Sequence, residues 1–148
     1  MRMKLSAVAC VFASVLLGCG ATRSFQVEAK NQTARPITLW LTKDGPPAED
    51  GWRTPEDLAA AAGVEHEPRY DFAVVEPGRI GYTDRVTGKF PSGTHAVLRV
   101  YDGAVTYFQI ANAAKTGSDR RADYVLKSGT NRVVVQEQLG RLVVERAH

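Results

Sequence analysis

Ala96-Val97-Leu98-Arg99-Val100-Tyr101-Asp102-Gly103-Ala104-Val105-Thr106-Tyr107-Phe108-Gln109-Ile110 is the stretch on which the fold turns. Two runs that alternate apolar and polar residues, Ala96 to Tyr101 and Ala104 to Ile110, flank Asp102-Gly103. A two-residue Asp-Gly loop between such runs is the strongest short-range hairpin signature, because both residues tolerate positive φ. The register predicts Val100 opposite Val105, Leu98 opposite Tyr107 and Ala96 opposite Gln109. The first two pairs form an apolar face, and a slip by one residue would turn it to solvent.

The same strand period recurs on both sides. Phe25 to Ala29 alternates, and so does Ile37 to Leu41, with Ile37, Leu39 and Leu41 on one face. Trp40 falls on the other face, where it caps a sheet edge or lies under the next segment. Asp44-Gly45-Pro46-Pro47 stops that strand, since proline lacks the amide a ladder needs. Tyr70, Phe72 and Val74 alternate, and Arg79-Ile80-Gly81-Tyr82 fits a further strand. Lys89-Phe90-Pro91-Ser92-Gly93 reads as a turn, and Asn112 to Arg121 as a polar loop. Tyr124-Val125-Leu126 restarts a strand. Val133-Val134-Val135 and Leu142-Val143-Val144 flank a turn at Leu139-Gly140, and their β-branched composition suits strands buried on both sides.

Gly51 to Glu67 is the one helical patch. Thr54 offers an N-cap hydroxyl, Pro55 suits the first helical position, and Glu56 and Asp57 put acid in the first turn. Leu58 to Ala62 has high helix propensity, and Gly63 is placed to end the helix. With one large apolar residue it is expected to lie on a surface without building a core. About seven to nine short strands at roughly 8–12-residue spacing predict an all-β fold, an antiparallel β-sandwich of immunoglobulin-like or transthyretin-like topology, with a barrel as the alternative.

Upstream of the strands lies a segment of another kind. Met1-Arg2-Met3-Lys4 is basic, and Leu5 to Leu17 carries no charge. That layout is a secretory signal peptide, too short to span a bilayer as an ordinary helix. Leu16-Leu17-Gly18-Cys19 resembles the lipobox of bacterial lipoproteins. The resemblance implies a diacylglycerol on the Cys19 sulfur, cleavage just before it, and acylation, such as by palmitate, of the freed amine. More than one acyl chain is what stable anchoring requires. Gly20, where Asp often retains lipoproteins at the inner membrane, is compatible with the outer membrane of a two-membrane cell. The resemblance covers about the first 20 residues. Cleavage by an ordinary signal peptidase among the small residues Gly18, Gly20 and Ala21 is the competing reading. The expected organisation is residues 1–18 signal, 19–24 lipidated tether and 25–148 one domain.

Composition sets further bounds. The 148 residues carry a formal net charge of +3, but Arg2 and Lys4 leave with the signal, so the processed chain is close to neutral. A dedicated nucleic-acid binder should show a strong basic excess, so nucleic acid is not an expected partner. Cys10 lies in the removed segment and Cys19 is the lipidation site, so no thiol remains for a disulfide, a metal or a nucleophile. Acids concentrate between Asp44 and Glu76 and bases after Pro77, which reads as two solvated faces rather than an acidic insert packed on a basic sheet.

No stretch reads as catalytic, and no metal or cofactor is expected. Glu65-His66-Glu67 is the densest group of metal-ligating types, but neighbours on a strand face opposite ways and zinc takes three protein ligands. Ser92, His95 and Asp102 supply the residue types of a triad without a nucleophile motif. The acidic loops lack a calcium-loop pattern, and His148 is terminal. Trp40, Trp52, Tyr70, Tyr82, Tyr101 and Tyr107 are either core or a platform for sugar or peptide. Asn31-Gln32-Thr33 is a glycosylation sequon only on a eukaryotic secretory route. The expectation is a lipid-anchored envelope protein with a non-catalytic binding or structural domain and an envelope protein or glycan as partner. The alternative is an envelope hydrolase using carboxylates of the acidic 44–76 segment.

Overall fold

The computed structural model describes residues 20–47, 49, 51–61, 72–117 and 120–148. In chain order these form β1 (Ala21–Asn31), β2 (Ile37–Lys43), α1 (Pro55–Ala61), β3 (Phe72–Val75), β4 (Ile80–Tyr82), β5 (Val86–Phe90), β6 (Ala96–Asp102), α2 (Tyr107–Thr116), β7 (Arg121–Val125), β8 (Gly129–Gln138) and β9 (Arg141–Arg146). The fold is an all-β sandwich. One sheet has the order β4-β1-β8-β9, with β5 also pairing β1, and the other has the order β3-β2-β6-β7. All pairings are antiparallel except β1 with β8, which run parallel with Phe25 beside Gly129 and Asn31 beside Val135.

The two sheets meet along their alternating faces. Phe25, Val27, Ala29, Val133 and Val135 from the first sheet pack on Ile37, Leu39, Leu41, Leu98 and Val100 from the second. Among the described residues, both hydrophobic clusters draw on side chains between Phe25 and Val144. Strand β2 is buried at every position. Its inner residues enter the main core, and its outer residues Thr38, Trp40 and Thr42 lie under the segments that follow it.

The hairpin expected at Asp102-Gly103 does not form. Gly103 takes a positive φ of 94°, but Asp102 stays in β6, and a tight hairpin turn needs positive φ at both central residues. Asp102 is held by Arg35 and Arg120, each at 3.0 Å. The chain then enters α2 instead of a strand, and β6 pairs with β2 and β7. Thr106 begins the helix: its hydroxyl accepts from Gln109 N, and the Gln109 side chain accepts from Thr106 N, a complete capping box. Tyr107, Ile110 and Ala111, spaced i, i+3 and i+4, are its buried face, and Gly117 ends it in the left-handed conformation. A two-residue turn with both φ positive does occur, at Leu139-Gly140 between β8 and β9.

Helix α2 takes Asn112 to Thr116 of the segment read as a loop, and Arg121 opens β7, so the described residues hold two helices where one was expected. Helix α1 begins at Pro55 as read; the expected stop at Gly63 lies outside the described residues. Nor does α1 merely lie on a surface. Leu58 joins Trp40, Tyr101, Tyr107 and Ile110 in a second core between the helices and the outer face of the second sheet. Trp40 therefore lies under α1, with its indole N–H on the Arg53 carbonyl at 3.0 Å.

Among the described residues the first sheet has no such cover. Val133 and Val135 are buried while Val134 is only half-buried, and β9 has no fully buried residue. The valine runs are covered on one side, not both, because no layer of the described residues packs on the outer face of that sheet. Ala21–Ser24, read as tether, is strand: Ala21 to Phe25 pair with Phe90 to Val86.

The chain crosses from the second sheet to the first between β3 and β4, through the Pro77-Gly78 turn. Asn31, 0% exposed, fixes this crossing: its amide donates to the Val75 and Arg35 carbonyls, and its oxygen accepts from Thr33. A glycan has no access to that nitrogen in the folded chain. At Gly81 an added Cβ would overlap Val75 Cγ2. Gly81→Ala is expected to cost about 1–3 kcal/mol in urea unfolding through overpacking, and an unchanged midpoint would show that the crossing is loose.

Candidate functional site

The residues singled out as possible chemistry do not converge. Asp44 and His95 pair at 2.7 Å between Oδ2 and Nδ1, but Asp102 closes the far end of β6, about 20 Å away along a seven-residue strand. Ser92 lies in the turn after β5, and His148 is exposed at the chain end. Trp40, Trp52, Tyr101 and Tyr107 are buried core residues, and Tyr82 alone of the described aromatics in that set is exposed. Cys19, Glu65-His66-Glu67 and Tyr70 lie outside the described residues. Among the described residues no three His, Cys, Asp or Glu side chains are grouped to hold a metal.

Among the described carboxylates of the acidic segment, Glu76 is exposed, but Asp44, Glu49, Glu56 and Asp57 take structural partners. Glu56 on α1 reaches Arg99 at 3.4 Å and Arg121 at 3.9 Å, and Asp123 flanks the same two guanidinium groups at 3.8 and 3.6 Å. Arg99 keeps only 17% of its side chain exposed. Burial works against its charge, but Tyr101, Asp123 and Glu56 more than offset that and raise its pKa. Burial also raises the pKa of Tyr101, which stays a neutral phenol. This cluster staples α1 to the second sheet.

Glu49 seals the mouth of the sandwich. It pairs with Lys43, whose side chain is 2% exposed and lies 4.5 Å from the Phe90 ring centroid. Its carboxylate also accepts from Lys89 N. Burial alone would raise the Glu49 pKa, but the bonds from Lys43 and Lys89 lower it overall. Asp44 behaves alike: burial raises it, and the His95 amide and ring bring it below the ordinary value. A hydrolytic acid needs a carboxyl raised toward neutrality, so neither group supports the hydrolase alternative.

A concave site without such internal matching lies at one side of the sandwich, where β7 and β9 end. Tyr124, Lys127, Thr130, Asn131, Arg132 and Arg146 line a cavity of about 420 Å³. Strand parity puts Arg146 on the inward-facing side of β9 with Leu142 and Val144, opposite Val133. The Asn131 amide shapes the loop that carries Lys127. It donates to the Lys127 and Gly129 carbonyls at 2.7 and 3.2 Å, while its oxygen accepts from Lys127 N at 2.9 Å. Arg132 leans on Glu28, its direct cross-strand partner, at 3.3 Å. Among the described residues neither Lys127 nor Arg146 is ion-paired.

The basic excess after Pro77 was visible in the sequence, but not this cluster. Lys127 and Arg146 come to one rim because β9 folds back on β8, whereas Arg132, next to inward-facing Val133, puts its side chain on the outer face with Glu28. No protein-family model, no curated protein and no solved structure matches the chain.

Proposed function

We propose that this chain is an exported lipoprotein, held to a cell-envelope membrane through Cys19, whose β-sandwich serves a non-catalytic binding or structural role. The observation that carries the reading is Leu16-Leu17-Gly18-Cys19 at the end of an uncharged run behind a basic start. The position of β1 agrees with it. Strand pairing begins at Ala21, two residues beyond Cys19, so the sandwich would stand at most about 7 Å of chain from its anchor. An acyl-anchored domain on so short a lead presents its loops to envelope proteins or glycans close to the bilayer. Gly20 favours the outer membrane where the cell has two.

Cys19→Ala tests this in the native host. The wild-type chain is expected in the membrane fraction after an alkaline wash and to incorporate labelled palmitate. The variant should move to the soluble exported fraction and lose the label. A variant that stays membrane-bound with unchanged labelling would overturn the assignment.

A further inference from the structure

We infer that the open edge of β9 pairs with the same edge of a second copy of this chain, antiparallel about a two-fold axis at Val143, so that the first sheet continues across two molecules. The inference goes beyond the anchored reading and does not depend on it.

Strand β9 is the outermost strand of the first sheet, and its register with β8 runs unbroken from Gln138–Arg141 to Val133–Arg146, with no bulge. It contains neither proline nor glycine. The ladder shows which of its backbone groups are free. Ala147 N donates to Arg132 O at 2.9 Å, so those two residues are a hydrogen-bonded pair. Alternation along an antiparallel ladder then makes Glu145 and Val143 bonded partners of β8 as well, and turns the N–H and C=O of Leu142, Val144 and Arg146 to the open side. Such a row is a template for another strand. The core is also unfinished there. Leu142 and Val144 pack on it from the inner face, yet both stay half-buried, as does Val143 on the outer face. A strand laid alongside would cover their open flanks. At the other side of the sandwich the outermost strands, β3 and β4, have only 4 and 3 residues, and short edges are poor templates.

Charge selects the occupant. An edge guarded by one sign of charge repels a second copy of itself. Here Arg141 and Glu145 carry opposite signs on the same outer face, to either side of Val143. Continuous faces require odd-numbered residues opposite odd-numbered ones. The register centred on Val143 sets Arg141 opposite Glu145 of the second copy, and the two-fold axis repeats the pair. It also sets Leu142 opposite Val144 and Val143 opposite itself, and it brings Arg146 beside Gly140, which has no side chain to obstruct it. Centring on Val144 would set Val143 against Glu145, and centring on Leu142 would set it against Arg141. Opposite charges directly across a strand pair are favourable. Both charges are available: among the described residues Arg141 has no ion partner, and Glu145 accepts only from the Gln136 amide, at 3.1 Å.

Pairing along one short strand makes an interface of the small, transient class, so covalent capture is the way to read it. Val143→Cys is made in the full-length chain and oxidised with copper phenanthroline in intact cells of the native host. The readout is the dimer band on a non-reducing gel gained over the parent chain, which removes any contribution of Cys10 and Cys19. Residues opposite each other in a non-hydrogen-bonded antiparallel pair have Cα atoms about 4.5 Å apart, within disulfide reach. Val143→Cys should therefore give the band. Arg141→Cys/Glu145→Cys, whose thiols face each other across the same register at exposed positions, should give it too. Glu145→Cys alone should not, because its two copies are offset by about four residues, or about 14 Å. Adding Arg141→Glu to Val143→Cys turns two attractive pairs into two repulsive ones and should cut the band about tenfold. Adding Glu145→Arg as well should restore it, which also shows that the charge variants fold. A band missing from Val143→Cys or from Arg141→Cys/Glu145→Cys, an equal band from Glu145→Cys, or a charge reversal without loss and recovery would overturn the inference.

Discussion

Trp52→Ala should destabilise the domain by about 3–5 kcal/mol, the range for emptying a large aromatic site in a packed core. Trp52 is 2% exposed although it lies in the connection between β2 and α1. Its ring meets Phe25 edge-on at 5.5 Å and Phe90 at 5.1 Å. Its N–H donates to the Thr87 carbonyl at 3.1 Å, and its own carbonyl accepts from the Thr42 hydroxyl at 3.0 Å. The residue therefore ties the connection to β1, β2 and β5 and plugs the end of the sandwich. Gly88 makes room for it: an added Cβ there would come 2.5 Å from the indole nitrogen. Urea unfolding measures the effect. Trp52→Phe should cost less, since it keeps an aromatic ring and loses one hydrogen bond worth about 1 kcal/mol. A loss below about 1 kcal/mol for the alanine variant would contradict the plug.

Glu49→Ala is expected to cost about 3 kcal/mol, at the lower end for breaking a buried ion pair, because Glu49 is itself part-exposed. The penalty comes from Lys43, which would keep its charge among Phe90, Trp52 and two carbonyls with no anion. Lys43→Met/Glu49→Ala should be milder than Glu49→Ala alone, since it removes the stranded charge. The pair also sets a pH dependence. The folded-state pKa of Glu49 is lowered, so its contribution is fully present above the ordinary glutamate value of 4.5 and is lost as pH falls through the lower folded value. Asp44, lowered against burial by His95, loses its contribution on the same acid side. Wild-type stability should therefore fall more steeply with acid than that of Glu49→Gln; parallel curves would place the acid sensitivity elsewhere.

Much of the sandwich was legible because one-sided burial imposes a period of two. Phe25 to Ala29 and Ile37 to Leu41 alternate, and their apolar members are the residues that meet in the core. The second half of the deciding stretch was misread because Ala104 to Ile110 satisfies both periods over so short a run. Thr106-Tyr107-Phe108-Gln109 carried the helix-start signature, and its reciprocal bonds prevail in the structure. Strand β5 was hidden by Gly88, whose lack of a side chain serves Trp52 across the sheet. Composition could not say which sheet has a third layer, so Trp40 had no settled environment and the valine runs were misread as buried on both sides. The cavity was the least legible feature. Its lining comes from the end of β7, the Lys127 loop, β8 and the end of β9, which only the packing of the two sheets brings together.

The anchor governs the functional account, and mass spectrometry of the N-terminal peptide from native membranes tests it most directly. The account predicts a peptide that begins at Cys19, carries diacylglycerol on sulfur and is absent from the Cys19→Ala strain. A soluble chain beginning at Gly20 or Ala21, or an unmodified Cys19 in the mature protein, would contradict it.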